Sequence, residues 1–269
     1  MVVFPPCKIN LGLYIHARRE DGYHDIETCF YPVPFTDVLE AVPSNSFSFQ
    51  ATGLSLPGLP NDNLCTRAFM LMKKVYNVPP VAIFLHKCIP PGAGLGGGSS
   101  DAAWTLRILN DLFGLKQSKT ELAALAAQLG SDCPFFIYDQ PMLGSGRGEK
   151  LRTVDVSLRG KFLALLKPDV HVGTAEAYQW ITPRKPPHPL EDILRLQPDD
   201  WRHRLINDFE QSVSRRYPVI AEIKNMLYEA GARYASMTGS GSAVFGIFDQ
   251  PVQLPDSLVP YCIWSGDLL

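Results

Sequence analysis

The segment Pro90 to Ser100 reads Pro-Pro-Gly-Ala-Gly-Leu-Gly-Gly-Gly-Ser-Ser, and it limits the folds open to this chain more than any other stretch. Upstream, Val81 to Leu85 has the aliphatic run of a strand; downstream, Ala103, Leu106, Leu109 and Phe113 recur at helical spacing until Gly114. The glycines therefore connect a strand to a helix. Without side chains, their backbone N–H groups are free to wrap an oxyanion, and the helix start behind them adds the positive end of its dipole. The hydroxyls of Ser99 and Ser100 supply donors to phosphate, or ligands for a phosphate-bound Mg2+. No Gly-Lys-Ser/Thr follows, so this is not a Walker loop. Gly-rich turns also serve tight packing, but this one is too extended for packing alone. Pro90, Gly92, Ala93, Gly94, Leu95, Gly96, Gly97, Gly98, Ser99 and Ser100 are the expected phosphate-binding set.

The surrounding text is that of a mixed α/β (α+β) protein. Ile9, Leu11, Leu13 and Ile15 alternate with polar or small residues as in a strand, Asp21-Gly22 turns the chain, and strand-like runs follow over 26–35 and 38–41. A Pro/Gly-containing loop over 54–61 leads to a helix near Asp62 or Asn63 whose apolar face is Leu64, Ala68, Leu71, Met72 and Val75. Ser118 and Glu121 form a capping box for a helix ending at Gly130, which puts Asp132 just past a helix end. Further on come a Gly-rich turn over 144–148, a strand over 162–166 and an unpatterned stretch from Pro183 to Asp200, open as a lid, a contact surface or a plain loop. A helix opening at Pro218 faces Ile220, Ile223, Leu227 and Ala230 inward, and strands flank Gly239 to Gly241. The best candidate boundary divides 1–157 from 158–269.

Composition excludes several classes. With 25 basic and 27 acidic residues spread along the chain, no field selects for nucleic acid or an acidic membrane surface. No apolar run reaches the length of a membrane span, and Met1 to Cys7 carries no basic leader. The six cysteines show no metal-ligand spacing and read as reduced thiols, so a cytoplasmic protein is expected; the oligomeric state, monomer or weak dimer, is not set by the sequence, and partners have to be read from the sites.

Two further segments complete a pattern. Pro5-Pro6-Cys7-Lys8-Ile9-Asn10-Leu11 is similar to a motif usually written Pro-Ala-Lys-Ile-Asn-Leu, and Met237-Thr238-Gly239-Ser240-Gly241-Ser242-Ala243-Val244-Phe245 is a second glycine turn flanked by hydroxyls. With the Pro90–Ser100 segment, these resemble the three motifs of the GHMP kinases, named for galactokinase and the homoserine, mevalonate and phosphomevalonate kinases. The resemblance spans Pro5 to Phe245 and implies a two-domain GHMP kinase fold, with the active site between the domains and the second glycine turn closing over it. It also implies transfer of a phosphoryl group from ATP, with Mg2+, to an alcohol.

Arg18-Arg19-Glu20-Asp21-Gly22-Tyr23-His24 resembles the segment of one branch of the family, whose alcohol carries a cytidyl diphosphate. In that branch the tyrosine stacks on cytosine and the histidine bonds its edge, roles carried to Tyr23 and His24, with Tyr178 as second aromatic and Asn10 near the substrate. Leu129-Gly130-Ser131-Asp132-Cys133-Pro134 matches the branch's Gly-Ala-Asp-Val-Pro segment, with Ser131 and Cys133 as departures; the match implies Asp132 as catalytic base and Lys8 as its orienting cation. Asn63 and Lys87 match positions that contact the adenine nucleotide. Metal ligands are not assigned. Read singly, these residues are ordinary: Lys8 an edge charge, Asn63 a helix cap, Lys87 an exposed strand-end charge, Asp132 a turn or cap residue, Tyr23 a turn residue, His24 a satisfied histidine. Cys7 beside Lys8 is either a buried thiol or one with a lowered pKa. Asn207-Asp208-Phe209-Glu210 reads as structural support. Two rivals stay open, a kinase of the same family acting on another alcohol and a regulator without catalysis; Tyr23, His24 and Tyr178 weigh against the first, Lys8 with Asp132 against the second.

Overall fold

A computed structural model describes residues 1–59 and 62–268, so the end of the loop expected over 54–61 lies outside the described residues. In chain order the elements are β1 (Val2–Val3), β2 (Pro6–Arg18), β3 (His24–Thr36), β4 (Val38–Pro43), β5 (Ser48–Gly53), α1 (Leu64–Tyr76), β6 (Val81–Lys87), α2 (Gly97–Leu112), α3 (Lys119–Ala126) and α4 (Cys133–Tyr138). Then follow β7 (Met142–Gly146), β8 (Lys150–Thr153), β9 (Phe162–Leu166), α5 (Thr174–Gln179), α6 (Leu190–Leu194), α7 (Asp208–Arg216), α8 (Pro218–Glu229), β10 (Tyr234–Met237), β11 (Val244–Phe248) and β12 (Cys262–Asp267).

The chain forms two compact units, each built from separate stretches: Met1–Lys8, Phe35–Pro91 and Gly96–Gln140 in the first, and Ile9–Pro34, Gly92–Leu95 and the residues from Pro141 onward in the second. The first unit holds a sheet of order β1-β4-β6-β5, with β5 parallel to β6 and the other pairs antiparallel, together with α1 to α4. Along β6 the inward positions are Val81, Ile83, Leu85 and Lys87, the period of two expected of a strand with one covered face. Helix α1 starts at Asn63, whose side chain accepts from Cys65 N at 2.8 Å. Its buried side is Cys65, Thr66, Ala68, Phe69 and Met72, so the face is rotated from the expected one and Val75 is exposed. Phe69 stacks on Phe47 with ring centroids 4.3 Å apart, and burying that pair outweighs hiding Val75. Helix α3 has the expected capping box, with Ser118 accepting from Glu121 N and Glu121 from Ser118 N. Asp132 then stands at the start of α4.

The second unit holds the sheet β10-β11-β9-β12 and, apart from the Pro6–Lys8 end of β2 and the last two residues of β3, the sheet β2-β3-β7-β8. Its apolar core gathers Leu13, Ile15 and Ile26 with Ala164, Leu166, Phe209, Val213, Met237 and Val244, and α8 contributes Ile220, Ile223 and Leu227 as its spacing requires. The stretch 183–200 contains α6, whose Leu190, Ile193 and Leu194 are buried and whose Ile193 carbonyl accepts from Trp201 Nε1 at 3.0 Å. Among the described residues no helix is long and apolar enough to cross a membrane.

Candidate active site

In the first unit Lys8 and Asp132 stand side by side. Lys8 lies on β2 with 3% of its surface exposed, and its Nζ stands 3.7 Å from Asp132 Oδ2. Burial pulls the Lys8 ammonium below the ordinary lysine value, against the opposing effect of Asp132. Asp132 occupies the N-cap position of α4, yet its side chain makes no capping hydrogen bond and keeps about a third of its surface open. Its carboxylate is thus available for chemistry, whereas a structural cap would be turned onto the helix.

The glycine segment enters this unit again at Gly96, where an added Cβ would lie 3.2 Å from the Lys8 side chain, so Lys8 sits against the start of α2. Helix α2 begins at Gly97, inside the glycine run and earlier than Ala103, its first apolar marker, would date it. Ser100 in its first turn is fully buried, and among the described residues its Oγ has no hydrogen-bond partner. Such a hydroxyl at a helix start fits an oxygen-rich ligand. Ser99 lies beside Cys133, whose thiol burial pushes up to about 12 even though the Ser99 hydroxyl opposes the shift. Cys7 is likewise pushed up by burial, in spite of Lys8, so both cysteines near the pair are inert thiols.

Asn63 and Lys87 both have partners within the protein. The Asn63 carbonyl oxygen is engaged as the α1 cap. Lys87 is no exposed strand-end charge: it points inward from β6, and its Nζ donates to Asp37 Oδ2 and, at 2.9 Å, to Asp101 Oδ2. Burial lowers the Lys87 pKa and the two carboxylates more than reverse this, leaving it raised; burial, with Asp37 close by, pushes the Asp101 carboxyl up to about 7 against the pull of Lys87. Asp37 and Asp101 went unnoticed in the sequence.

In the second unit, Gly92–Leu95 meet the C-terminal glycine turn. Ala243 N donates to Ala93 O at 3.1 Å, and Thr238 Oγ1 donates to Gly94 O at 3.2 Å. Gly94 has φ +80°, and a Cβ there would drive into the Thr238 carbonyl. Gly94→Ala should therefore cost about 2 kcal/mol or more, read as a lower urea midpoint; a change under about 0.5 kcal/mol would mean the loop is not held there. Asn10 is buried and ties strands together, donating from Nδ2 to Thr28 Oγ1 at 2.9 Å and accepting at Oδ1 from Thr238 Oγ1 at 3.1 Å. Asn207 donates from Nδ2 to the carbonyls of Met237 and Gly239, both at 2.8 Å, which is the support expected of its segment.

The aromatic residues also gather in this unit. His24 and Tyr178 stack with centroids 4.6 Å apart and planes 16° from parallel, too close for a base to enter between them. Burial, followed by the Arg18 charge, lowers the His24 pKa and favours the neutral ring. Tyr23 is exposed, and the Arg147 guanidinium covers one face of its ring at 4.7 Å. Arg147 was not foreseen, since it lies in a stretch that reads as a glycine turn.

A buried cation against a carboxylate with no capping role, beside a helix that opens in glycines, is the equipment of a phosphoryl-transfer site. Comparison with known proteins agrees. Residues 63–140 match the GHMP kinases N terminal domain and residues 189–255 the GHMP kinases C terminal domain. The chain belongs to the GHMP kinase family. Within it, the chain is 48% identical over 270 residues to the 4-diphosphocytidyl-2-C-methyl-D-erythritol kinase of Parabacteroides distasonis, covering 100% of both. It is 47% identical to that of Cytophaga hutchinsonii, over 93% of each chain. A solved 4-(cytidine 5'-diphospho)-2C-methyl-D-erythritol kinase superposes with a TM-score of 0.79 at 35% identity, over 92% of this chain and 90% of the other. The Methanococcus jannaschii mevalonate kinase shares the fold, with a TM-score of 0.69 at 15% identity over 92% and 90%.

Proposed function

We propose that this chain transfers the γ-phosphoryl group of ATP to the 2-hydroxyl of 4-diphosphocytidyl-2-C-methyl-D-erythritol, giving the 2-phosphate and ADP, in the non-mevalonate route to isoprenoid precursors in the cytoplasm. The observation that carries the chemistry is the Lys8–Asp132 pair, with a carboxylate that caps nothing. The acceptor is supported by the relatives, which are named for this kinase and match over 100% and 93% of the chain.

Asp132 orients the acceptor hydroxyl and takes its proton late in the transfer, because an alkanol is too weak an acid to ionise first. Lys8 holds Asp132 in place and steadies the negative charge growing on the transferring group. The N–H groups at the start of α2, with the Ser99 and Ser100 hydroxyls, hold the nucleotide's phosphates in line. The unpartnered Ser100 Oγ at the start of α2 fits a phosphate-bound Mg2+, which Ser99 or Ser100 would help the phosphates to hold and which would neutralise phosphate charge. The cytosine stacks on Tyr23, His24 bonds its edge and Tyr178 supplies a second face. Arg147 on Tyr23 and His24 on Tyr178 have to swing aside or join that stack.

The test is ADP release with Mg2+-ATP, offering the cytidyl substrate beside homoserine, mevalonate and galactose. Turnover of the cytidyl substrate alone is expected. Turnover of a different alcohol would discard the aromatic pocket and keep the kinase, and silence with all four despite nucleotide binding would overturn the reading.

A further inference from the structure

Lys87, Asp37 and Asp101 are three ionisable side chains with 1%, 0% and 4% of their surface exposed, and none of them has a part in the transfer described above. Three buried charges are costly to assemble, and apolar residues of the same volume would commonly hold the fold as well. What the ionic cluster adds is direction. Asp37 Oδ1 accepts from Cys88 N at 2.6 Å and Ile89 N at 2.9 Å, the two residues before Pro90, while Asp37 N donates to Pro5 O at 3.0 Å on the segment that leads into Lys8. Lys87 carries the tie onward to Asp101, the fifth residue of α2. A Cβ at Gly97 would stand 2.8 Å from Lys87 Nζ and 2.9 Å from Ile89 Cγ2, so the first residue of α2 must be bare for the ammonium to pass beneath it. Asp101 Oδ1 has no hydrogen-bond partner among the described residues, while Asp101 Oδ2 accepts from Lys87 Nζ at 2.9 Å.

We propose that Lys87 is a positioning residue for the phosphate site: anchored on Asp37 and gripping Asp101, it fixes the first turn of α2, whose N–H groups and serine hydroxyls receive the nucleotide's phosphates, and it does so without touching the nucleotide. The proposal rests on the kinase reading only in naming the ligand as a nucleotide. Its chemistry is that of a rigid strut: the loop is fastened on its N-terminal side through Cys88 and Ile89 and on its C-terminal side through Asp101, and one carboxylate, Asp37, is common to both fastenings.

The experiment compares wild type, Lys87→Arg and the double variant Lys87→Met with Asp101→Asn, which removes the cation together with one of its acids and leaves Asp37 on its two N–H donors. Affinity for a non-hydrolysable ATP analogue is measured by calorimetry, KM for ATP and for the alcohol by initial rates, and folding by thermal unfolding. The double variant should bind the analogue at least tenfold more weakly and raise KM for ATP in step, with KM for the alcohol within twofold of wild type; Lys87→Arg, which keeps the charge, should recover part of the loss. Analogue affinity within twofold of wild type in a folded double variant overturns the proposal, as does an equal rise in both KM values. If the double variant does not fold, Asp101→Asn alone decides, since it keeps Lys87 on Asp37 and weakens only the tie to α2: a loss of at least threefold in analogue affinity is expected, and no loss overturns it. Analogue binding needs no turnover, so a wrong alcohol assignment leaves this result standing.

Discussion

Asp132→Asn lowers kcat by about 10²–10⁴-fold while nucleotide affinity stays close to wild type. The amide keeps the size of the carboxylate but has no charge and accepts no proton from an alcohol. Folding should not suffer, because the Asp132 side chain makes no capping bond to α4 and is about a third exposed. Loss of the carboxylate also removes the charge that offsets the burial of Lys8, so the ammonium is held less firmly in its charged form. Steady-state rates with saturating ATP, and analogue binding by calorimetry, separate the two quantities. A fall in kcat of less than tenfold would take the base's role away from Asp132.

Lys8→Met should reduce kcat by about 10²–10³-fold, the usual scale for removing one preorganised group from a charge that develops during reaction. Methionine is unbranched and of similar length, and exchanging a buried charge for an apolar side chain is often neutral or stabilising, so the unfolding temperature should not drop. Lys8 and Asp132 act on each other across 3.7 Å and should behave as one device. The double variant Lys8→Met with Asp132→Asn should then lose little more than the worse single variant, whereas losses that multiply would mean two independent contributions.

Much of this site is legible in the sequence because its demands are local. A glycine run between a strand and a helix needs no partner to be read, and the capping box at Ser118 and Glu121 is written within four residues. Lys87 shows where local reading stops short. Its period-two phase with Val81, Ile83 and Leu85 places it on the covered face, but a charged residue at a strand end reads as exposed until its counter-charges are known, and those come from Asp37 and Asp101, far apart in sequence. Asn10 is a similar case: its motif points to the substrate, while the bonds of its side chain to Thr28 and to Thr238, the latter 228 residues away, are not written in the motif. Strand β7 was hidden by its own composition, since Met-Leu-Gly-Ser-Gly reads as a turn and only the pairing of Met142–Gly146 with β3 extends it. Helix α5, which carries Tyr178, is too short for periodicity to register.

The interleaving of the two units has a consequence for how the chain comes to be folded. Neither unit is a continuous stretch, and in the sheet β10-β11-β9-β12 the strand synthesised first, β9, lies in the interior, flanked by β11 and β12. During synthesis β9 emerges with both hydrogen-bonding edges bare and waits for neighbours encoded near the C-terminus. An unpaired, wholly apolar Phe162–Leu166 is the kind of segment that sticks to other chains in the interval. Cutting the gene between two apparent halves would not yield two self-sufficient pieces, because the first piece would carry β2 and β3 without the residues of α7, α8 and β9 that complete their core. The glycine loop is therefore fastened in part by late residues: the bond from Thr238 Oγ1 to Gly94 O cannot form until Thr238 has left the ribosome.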